Sequence, residues 1–268
     1  LAATTEDLAA PDGSTVSALG FGYSDITDNQ STGGSAITGA ADTSTTFGGI
    51  AIVANASDST TQGVWQYSTD NGSTWASIGD GSGDLGAAPT TATAILLPTT
   101  AKLRFLPNVL DFNGTPGALS IKVSDAVVAF SASTDISAAN TTTGQWSATT
   151  TLSTSVTAVN DAPVATGSAT LAAVLEDTSA PNGSTVSSLF TGNFSDIKDT
   201  VPGGSSANTL AGVVITANAS SSTQGKWQWN NAGTWTDIAT SGLSDTSALY
   251  LTAATSIRFL PAANWNGT

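Results

Sequence analysis

The chain has 268 residues, of which 20 are acidic and 6 basic, so its formal net charge is −14. Phosphate binding needs clustered Lys and Arg, so this charge balance excludes nucleic acid as an expected partner and disfavours anionic membrane surfaces. The chain has no Cys, His or Met, which removes disulfides, thiolate nucleophiles, Cys-ligated zinc and the commonest general base. Cations are the natural counterpart, and Ca²⁺, which prefers oxygen ligands, is the leading one.

No apolar run approaches the roughly 20 residues of a membrane-spanning helix, so we expect no membrane insertion. The sequence begins at Leu1 rather than Met and shows no signal peptide. We therefore expect an internal piece of a longer protein.

Short alternating segments dominate the first half of the chain, where the abundance of Ser, Thr and Val favours strands over helices. In ALSIKVSDA, Leu119, Ile121 and Val123 alternate with small polar residues and a lysine, which is the period of a strand. In chain order the predicted strands are GIAIVANA (49–56), the two arms of WQYSTDNGSTW (65–75), KLRFLP (102–107) and ALSIKVSDA (118–126). Many short strands with Gly, Asn and Asp turns predict an all-β chain of β-sandwich domains.

The stretch WQYSTDNGSTW has the features of a β-hairpin around an Asn71-Gly72 turn. Trp65 and Tyr67 are two residues apart and share a strand face, and Trp75 returns on the second arm. Two hypotheses compete: the rings form the inside of the fold, or they form a carbohydrate-binding platform. Nearly the same hairpin recurs as WQWNNAGTW (227–235). Core aromatics persist wherever a fold is repeated, so we favour the structural interpretation.

That recurrence belongs to an internal repeat of nearly the whole chain. Residues 1–20 align with 171–190 at an offset of 170, and GGIAIVANAS (48–57) aligns with AGVVITANAS (211–220) at 163. Arg104 aligns with Arg258 at 154. The offset shrinks only in stretches rich in Gly, Ser, Thr and Asp, so the second copy has shorter loops.

The alignment predicts a first β-sandwich repeat at 1–160, a linker at 161–170 and a second repeat at 171–268. The second copy lacks a counterpart of residues 116–160, which should contain its last two or three strands. Two explanations stay open. The chain is truncated, or a neighbouring molecule supplies those strands.

Three segments resemble the recurrent blocks of tandem cadherin-like or VCBS-type repeats in large secreted bacterial adhesins of the RTX type. They are TAVNDAPVA (157–165), LEDT (175–178) and RFLPAANWNGT (258–268). The resemblance implies extracellular Ig-like sandwiches at a bacterial cell surface, strung end to end as stalks and stiffened by Ca²⁺ near their junctions. The chain departs from this family in lacking a glycine-rich calcium-binding nonapeptide, and its acidic segment after EDT is thin.

Paired acidic positions are the candidate calcium ligands. The only two glutamates occupy the same position in the two copies, each followed by Asp, and the SD-I motifs repeat a further Asp. Calcium takes six to eight oxygen ligands from carboxylates, amides and carbonyls. The expected metal ligands are Asn160, Asp161, Glu176, Asp177, Asp196, Glu6, Asp7 and Asp25. Structural turn and cap roles are the competing interpretation, and GDGSGD (79–84) is a weaker candidate.

No Ser-His or Cys-His pair, phosphate-binding loop or cofactor fingerprint occurs, and we predict that the chain is not an enzyme. The favoured function is a stalk or extender segment of a bacterial surface adhesin, in contact with neighbouring repeats of the same protein. The alternative is a subunit of a self-assembling filament or matrix, in which a neighbour completes the second repeat. A glycan-binding module is the third and least favoured function.

Overall fold

The computed structural model describes residues 1–23, 46–82, 85–109, 111–138, 145–200 and 207–267. Nearly all of its regular elements are strands, which confirms the all-β prediction. One five-residue helix, α1 (Val186–Phe190), interrupts the pattern. No helix in the described part of the chain is both long and apolar enough to cross a membrane.

The described residues form two compact units. Unit 1 covers Leu1–Asn160, and unit 2 covers Asp161–Thr200 and Ser205–Thr268. The strands of unit 1 are β1 (Thr4–Thr5), β2 (Ser14–Thr15), β3 (Gly49–Asn55), β4 (Val64–Ser68), β5 (Ala76–Ser77), β6 (Ala94–Pro98), β7 (Lys102–Leu106), β8 (Leu119–Ser124), β9 (Ser131–Thr134), β10 (Thr150–Leu152) and β11 (Val156–Thr157). The strands of unit 2 are β12 (Val164–Ala165), β13 (Ser184–Thr185), β14 (Phe194–Ser195), β15 (Gly212–Ile215), β16 (Gly225–Asn231), β17 (Thr234–Asp237), β18 (Leu249–Thr252) and β19 (Ser256–Pro261).

Unit 1 contains a five-stranded sheet in the order β10-β8-β3-β6-β9 and a four-stranded sheet in the order β2-β7-β4-β5. Both sheets send side chains into one core. Ile50 and Ile52 come from β3, whereas Trp65, Leu103 and Phe105 come from β4 and β7. Strand alternation places every second residue on the same face, so each sheet buries one apolar face against the other's side chains.

The opposite face of the five-stranded sheet has its own apolar cover. Ala51, which alternates with the core isoleucines of β3, is fully buried there. Val128, Ile136 and Trp146, which follow β8 in the chain, pack on this face. The whole cluster contains Ala51, Val53, Ala94, Val128, Ile136 and Trp146.

Unit 2 repeats the four-stranded sheet in the order β13-β19-β16-β17, beside the two-stranded sheets β15-β18 and β12-β14. Its buried core consists of Val186, Leu251 and Ile257, with partly buried residues packed around them. The 161–170 segment, expected as a linker, contributes β12, which pairs with β14.

Strand registers in the two units match residue by residue. Trp65 opposes Phe105 across β4 and β7, and their counterparts Trp227 and Phe259 oppose each other across β16 and β19. The rings in each pair meet edge to face with centroids 5.4 Å apart. The sequence alignment of these segments therefore corresponds to equivalent positions in space.

The Asn71-Gly72 turn adopts the positive φ angles that its sequence favours, whereas the second hairpin places an alanine in the same region. Asn71 and Gly72 both have positive φ, and so do Ala232 and Gly233 of the second hairpin. Two successive positive φ angles match the twist of the flanking strands, a requirement that favours Asn-Gly. In unit 2 the turn lies directly between paired Asn231 and Thr234, so that hairpin has a two-residue loop.

The prediction that all hairpin rings belong to the core is only partly right. Trp65 is fully buried and Tyr67 packs against the same cluster. Trp75 and Trp235, in contrast, belong to neither core cluster of their units. Each is half-buried beneath an arginine, because the second arm of the hairpin lies at the edge of its sheet.

Candidate functional site

Arg104 in β7 lies at the centre of a polar cluster in unit 1. The guanidinium carbon of Arg104 lies 4.0 Å from the ring centroid of Trp75. Its Nε donates to Gln66 Oε1 at 2.8 Å and its Nη1 donates to the Pro11 carbonyl at 3.0 Å. We name these four residues the arginine clamp of unit 1. It fastens the N-terminal segment to the four-stranded sheet.

Unit 2 contains the same arginine clamp. The guanidinium carbon of Arg258 lies 4.1 Å from the ring centroid of Trp235. Its Nε donates to Gln228 at 2.8 Å and its Nη1 to the Pro181 carbonyl at 3.0 Å. Arg258 is buried, and the guanidinium shape allows it to stack and donate at once, which a lysine ammonium cannot do.

The clamp accounts for the repeated sequence APxGSTVS. Gly13 and Gly183 both have positive φ, a region that favours glycine. A Cβ on Gly13 would lie 2.6 Å from the Leu103 carbonyl oxygen and 2.8 Å from Trp75 Cη2. Glycine is therefore needed for the chain to pass between the clamp tryptophan and β7. The APxGSTVS motif therefore packs against the four-stranded sheet of its own unit.

A buried carboxylate closes unit 1. Glu6 is only 5% exposed, and its Oε2 accepts from Asn113 Nδ2 at 3.0 Å. Its Oε1 accepts from the backbone N–H of Val159 at 2.5 Å. We name this arrangement the glutamate latch, because it joins the first strand, the NGT motif and the last residues of the unit.

Half of the glutamate latch recurs in unit 2. Glu176 Oε2 accepts from Asn266 Nδ2 at 3.1 Å, and Glu176 is exposed. The counterpart of Val159, which would donate to the other carboxylate oxygen, does not occur within 171–268. The repeated ED and NGT motifs therefore form one hydrogen-bonded pair in each unit.

The predicted junction ligands lie in different surroundings. Asn160 is exposed at the end of unit 1. The Asp161 carboxylate lies 3.7 Å from the Lys198 ammonium, and the Asp161 N–H donates to Asp199 at 2.7 Å. The ammonium already supplies positive charge beside Asp161, so this carboxylate serves as an ion-pair partner within unit 2.

The remaining predicted ligands are dispersed. Asp196 is buried and its Oδ2 accepts from the Asn208 N–H at 2.9 Å. Asp7 lines a shallow groove with Glu6 and Asp111, whereas exposed Asp177 lines another with Glu176 and Asn266. The structure thus brings Glu6 together with Asp7 and Glu176 together with Asp177. Asp25 lies outside the described residues.

In the oxygen-rich GDGSGD stretch, Asp80 and Ser82 are held by hydroxyl and backbone N–H groups, whereas Gly83 and Asp84 lie outside the described residues. Asp80 Oδ2 accepts from the Ser59 N–H at 2.6 Å and from Ser82 Oγ at 2.8 Å. Ser82 Oγ also lies 3.3 Å from Asp58 Oδ1, so it bridges the two carboxylates. Hydrogen bonds from Thr60 to Asp58 and from Ser82 to Asp80 lower the pKa of each carboxyl against a raising effect of desolvation.

The donor sets at the latches fit calcium poorly. Calcium needs several oxygens converging on one point, and the described residues include no group of three or more acidic side chains that could hold a metal ion. Both oxygens of Glu6 face N–H donors, and a cation would compete with those hydrogens for the same lone pairs. The carboxylates within the units act chiefly as hydrogen-bond acceptors.

Several positions important to the fold were missed at the sequence level. Asn55 donates to the Ile78 carbonyl at 3.1 Å and accepts from the Ser57 N–H and hydroxyl. Asn218 makes the same bonds to Ile238 and Ser220. The available signal was their identical placement in both copies, as with the clamp arginines.

Comparison of the chain with protein-family models, with curated proteins and with solved structures finds no match. Its class is therefore defined only by its own fold and repeated clusters. The chain is an all-β protein whose two units carry the same arginine clamp and the same glutamate–asparagine bond.

Proposed function

We propose that the chain is a stalk segment of a large bacterial extracellular adhesin, built of tandem Ig-like β-sandwich domains. The observation that carries the proposal is the duplication of structural clusters: the arginine clamp recurs with the same partners, and its bond lengths agree between the two units. A chain that repeats the same stabilising hydrogen-bonded clusters in each unit is suited to a spatial and mechanical role.

Unit 1 supports the sandwich part of the proposal. Its five-stranded and four-stranded sheets contribute side chains to one core. Two sheets that share a core are the defining feature of sandwich architecture. The chemistry of the described residues favours a structural role in the same way, because buried Glu6 and Arg258 make hydrogen bonds to residues far away in the sequence.

Single-molecule pulling of the full chain from its two ends tests the stalk. We expect unit 1 to resist as one cooperative domain, and its roughly 160 residues should release about 550 Å of contour length at about 3.5 Å per residue. Gradual extension without a distinct unit 1 event would contradict a mechanical role. Antibody labelling of intact cells that produce the parent protein tests the extracellular location.

Calcium enters the proposal only through the resemblance to adhesin repeats that calcium stiffens at their junctions, because the latch carboxylates already accept N–H hydrogen bonds. Any ion that binds only the folded state raises the melting temperature as its concentration increases. Thermal unfolding of the full chain in millimolar calcium, and then in excess chelator, is the direct test. An unchanged melting temperature would remove calcium from the proposal and leave the stalk supported by hydrogen-bonded fastenings alone.

A filament subunit is the second candidate, favoured by one observation. In the described part of unit 2, β15 pairs with β18 only, whereas its counterpart β3 is paired on both sides. An unpaired strand edge is a template for another chain. Analytical ultracentrifugation over a range of protein concentrations separates the two candidates. The mass of the sedimenting species should increase with concentration for a filament subunit and stay that of a monomer for a stalk segment.

A further inference from the structure

Among the residues that the structure describes, β15 is unpaired on one edge, and the equivalent strand of unit 1 shows that edge paired. Four residue pairs join β15 to β18, and they match, position by position, the four pairs that join β3 to β6. In unit 1 the other edge of β3 is covered by β8 in antiparallel pairing. Unit 1 thus shows what kind of strand fits the open edge in unit 2.

The sheet face beside this edge is also less covered in unit 2. Ala51 is fully buried, but its counterpart Val214 is 60% exposed. Leu96 is partly buried against the second cluster, whereas its counterpart Tyr250 is 56% exposed. The side chains that cover this face in unit 1 include Val128, Ile136 and Trp146.

The N-terminal segment of unit 2 presents a second open position. In unit 1, Thr4–Thr5 pairs in parallel with Val156–Thr157. The counterparts Val174 and Leu175 form no strand and are 39% and 81% exposed. They line one groove with Glu176 and Asn266, where the latch has one of its two donors. Two apolar residues replace two threonines at this position.

One stretch of unit 1 supplies every covering group. The strand β8, the cover over Ala51, the partner strand β11 and the latch donor Val159 all lie within residues 116–159. This is the part of the first copy that has no counterpart in 171–268. A single polypeptide segment of that type would therefore close the edge, the face and the groove together.

We propose that unit 2 is a strand acceptor whose β15 edge binds an extended polypeptide segment with the sequence pattern of GALSIKVSDA (117–126), antiparallel to β15. Backbone hydrogen bonds give such strand addition its affinity, and alternate side chains give it specificity. Leu, Ile and Val on one face of the segment would enter the core of unit 2. The inference goes beyond the stalk proposal, and it differs from the filament proposal because the occupant of the β15 edge is a segment of the β8 type rather than the same edge of a second copy.

The register of unit 1 fixes the expected register of the complex. In unit 1, β8 places its lysine opposite Ala51 and an apolar residue on each side of it. Transferred to unit 2, three pairs are expected: Ile121 opposite Ile215, Lys122 opposite Val214 and Val123 opposite Val213.

A synthetic peptide of residues 116–127, added to the full 268-residue protein, tests the proposal. We expect saturable binding and slower amide exchange of Gly212–Ile215, with no such change in β3, which is already paired. A matched peptide with Ile121→Asp loses one core-facing side chain and should bind at least tenfold more weakly. No binding, or equal binding of both peptides, would overturn the acceptor site.

Two variants of the exposed Val214 test the register without disturbing the core. Cross-strand charge pairs change pairing by amounts that correspond to roughly two- to fivefold in affinity. Val214→Glu should tighten binding of the peptide by about that factor through Lys122, and Val214→Lys should weaken it. The same affinity for both variants would contradict the proposed register and indicate nonspecific apolar binding.

A fusion that appends residues 116–159 after Thr268 tests whether the segment closes unit 2. Linkage in one chain raises the effective concentration of the segment to about the millimolar range. The melting temperature of unit 2 should rise by about 5 °C or more, and the same fusion with Ile121→Asp should not give this rise.

Dimers that form through β15 edges and persist in the presence of the peptide would identify a second copy as the occupant and overturn the proposal. Failure of this experiment leaves the pulling result for unit 1 unaffected.

Discussion

Unit 1 and unit 2 use the same local fastenings but differ in how much core surrounds them. Both contain the arginine clamp, the asparagine that caps the NAS turn with the same hydrogen bonds, and the edge-to-face tryptophan–phenylalanine pair. Among the described residues, the main core of unit 1 has fourteen buried members, whereas that of unit 2 has three. The repeated clusters therefore form in unit 2 without counterparts of the strands, such as β8, that enlarge the core of unit 1.

Removal of the central tryptophan should show this difference most strongly. Trp65 is fully buried and its Nε1 donates to the Gly117 carbonyl at 2.8 Å, whereas Trp227 is half-buried. Trp65→Ala should destabilise unit 1 by about 3–5 kcal/mol, and Trp227→Ala should destabilise unit 2 by about 1–3 kcal/mol. Urea unfolding, with amide exchange to assign each transition to its unit, measures both. Equal losses would mean that the two cores are equally closed.

Substitution of the clamp arginine should destabilise unit 2 more than unit 1, which is the reverse of the order expected for the tryptophans. Arg258 is buried, whereas Arg104 is partly exposed. Lysine cannot stack on the ring and donate to both acceptors, so Arg258→Lys should cost unit 2 about 2–3 kcal/mol, and Arg104→Lys should cost unit 1 less, about 1–2 kcal/mol. The same unfolding experiment applies. A larger loss at Arg104 would show that exposure does not decide the strength of the clamp.

The glutamate latch has two donors in unit 1 and one donor in unit 2. Glu6→Gln places an amide N–H₂ against an N–H donor, and we expect a loss of about 1–3 kcal/mol in unit 1. Glu176→Gln is the matched control, because an exposed substitution of this kind should change the stability of unit 2 by less than about 0.5 kcal/mol. Thermal melting of both variants, with calcium and with chelator, measures the effect. A calcium-dependent loss at either position would support the prediction that this glutamate is a metal ligand.

The smallest effect concerns a hairpin carboxylate present only in unit 1. Hydrogen bonds from the side chain and backbone of Thr74, and from Ser68, lower the pKa of Asp70 from 3.8 to about 2. A lowered pKa stabilises the folded state above the unfolded value of 3.8, and this contribution disappears as pH falls through about 2. Asp70→Asn should remove this component of acid sensitivity. Carboxyl chemical-shift titration by NMR checks the pKa directly, and a midpoint near 3.8 would refute it.

The repeat was the most informative feature of the sequence, because it aligned residues that occupy equivalent positions in the two units. The alignment of Trp65 with Trp227 and of Arg104 with Arg258 corresponds to matched strand registers. The alternation in ALSIKVSDA correctly placed Leu119 on the core side of β8. Such features are readable because a strand repeats every two residues and a hairpin turn is local.

The partners of the key polar side chains could not be read in this way. Glu6 meets Asn113 across 107 positions and the Val159 N–H across 153 positions. Sequence suggested calcium for Glu6 because a carboxylate presents the same oxygens to a cation and to an N–H donor. Only the packing of distant strands determines which of them lies within reach.

The amino-acid sequence by itself determined the all-β class, the duplicated order of strands along the chain and the Asn71-Gly72 turn, since each depends on local alternation or on glycine and asparagine at positive φ. Tertiary structure alone decided that Trp75 stacks beneath Arg104, that Glu6 is an internal acceptor and that, within the described residues, β15 is paired on one side only. These features depend on which remote segments lie side by side, and that is fixed by burial of apolar surface over the whole unit rather than by any single motif.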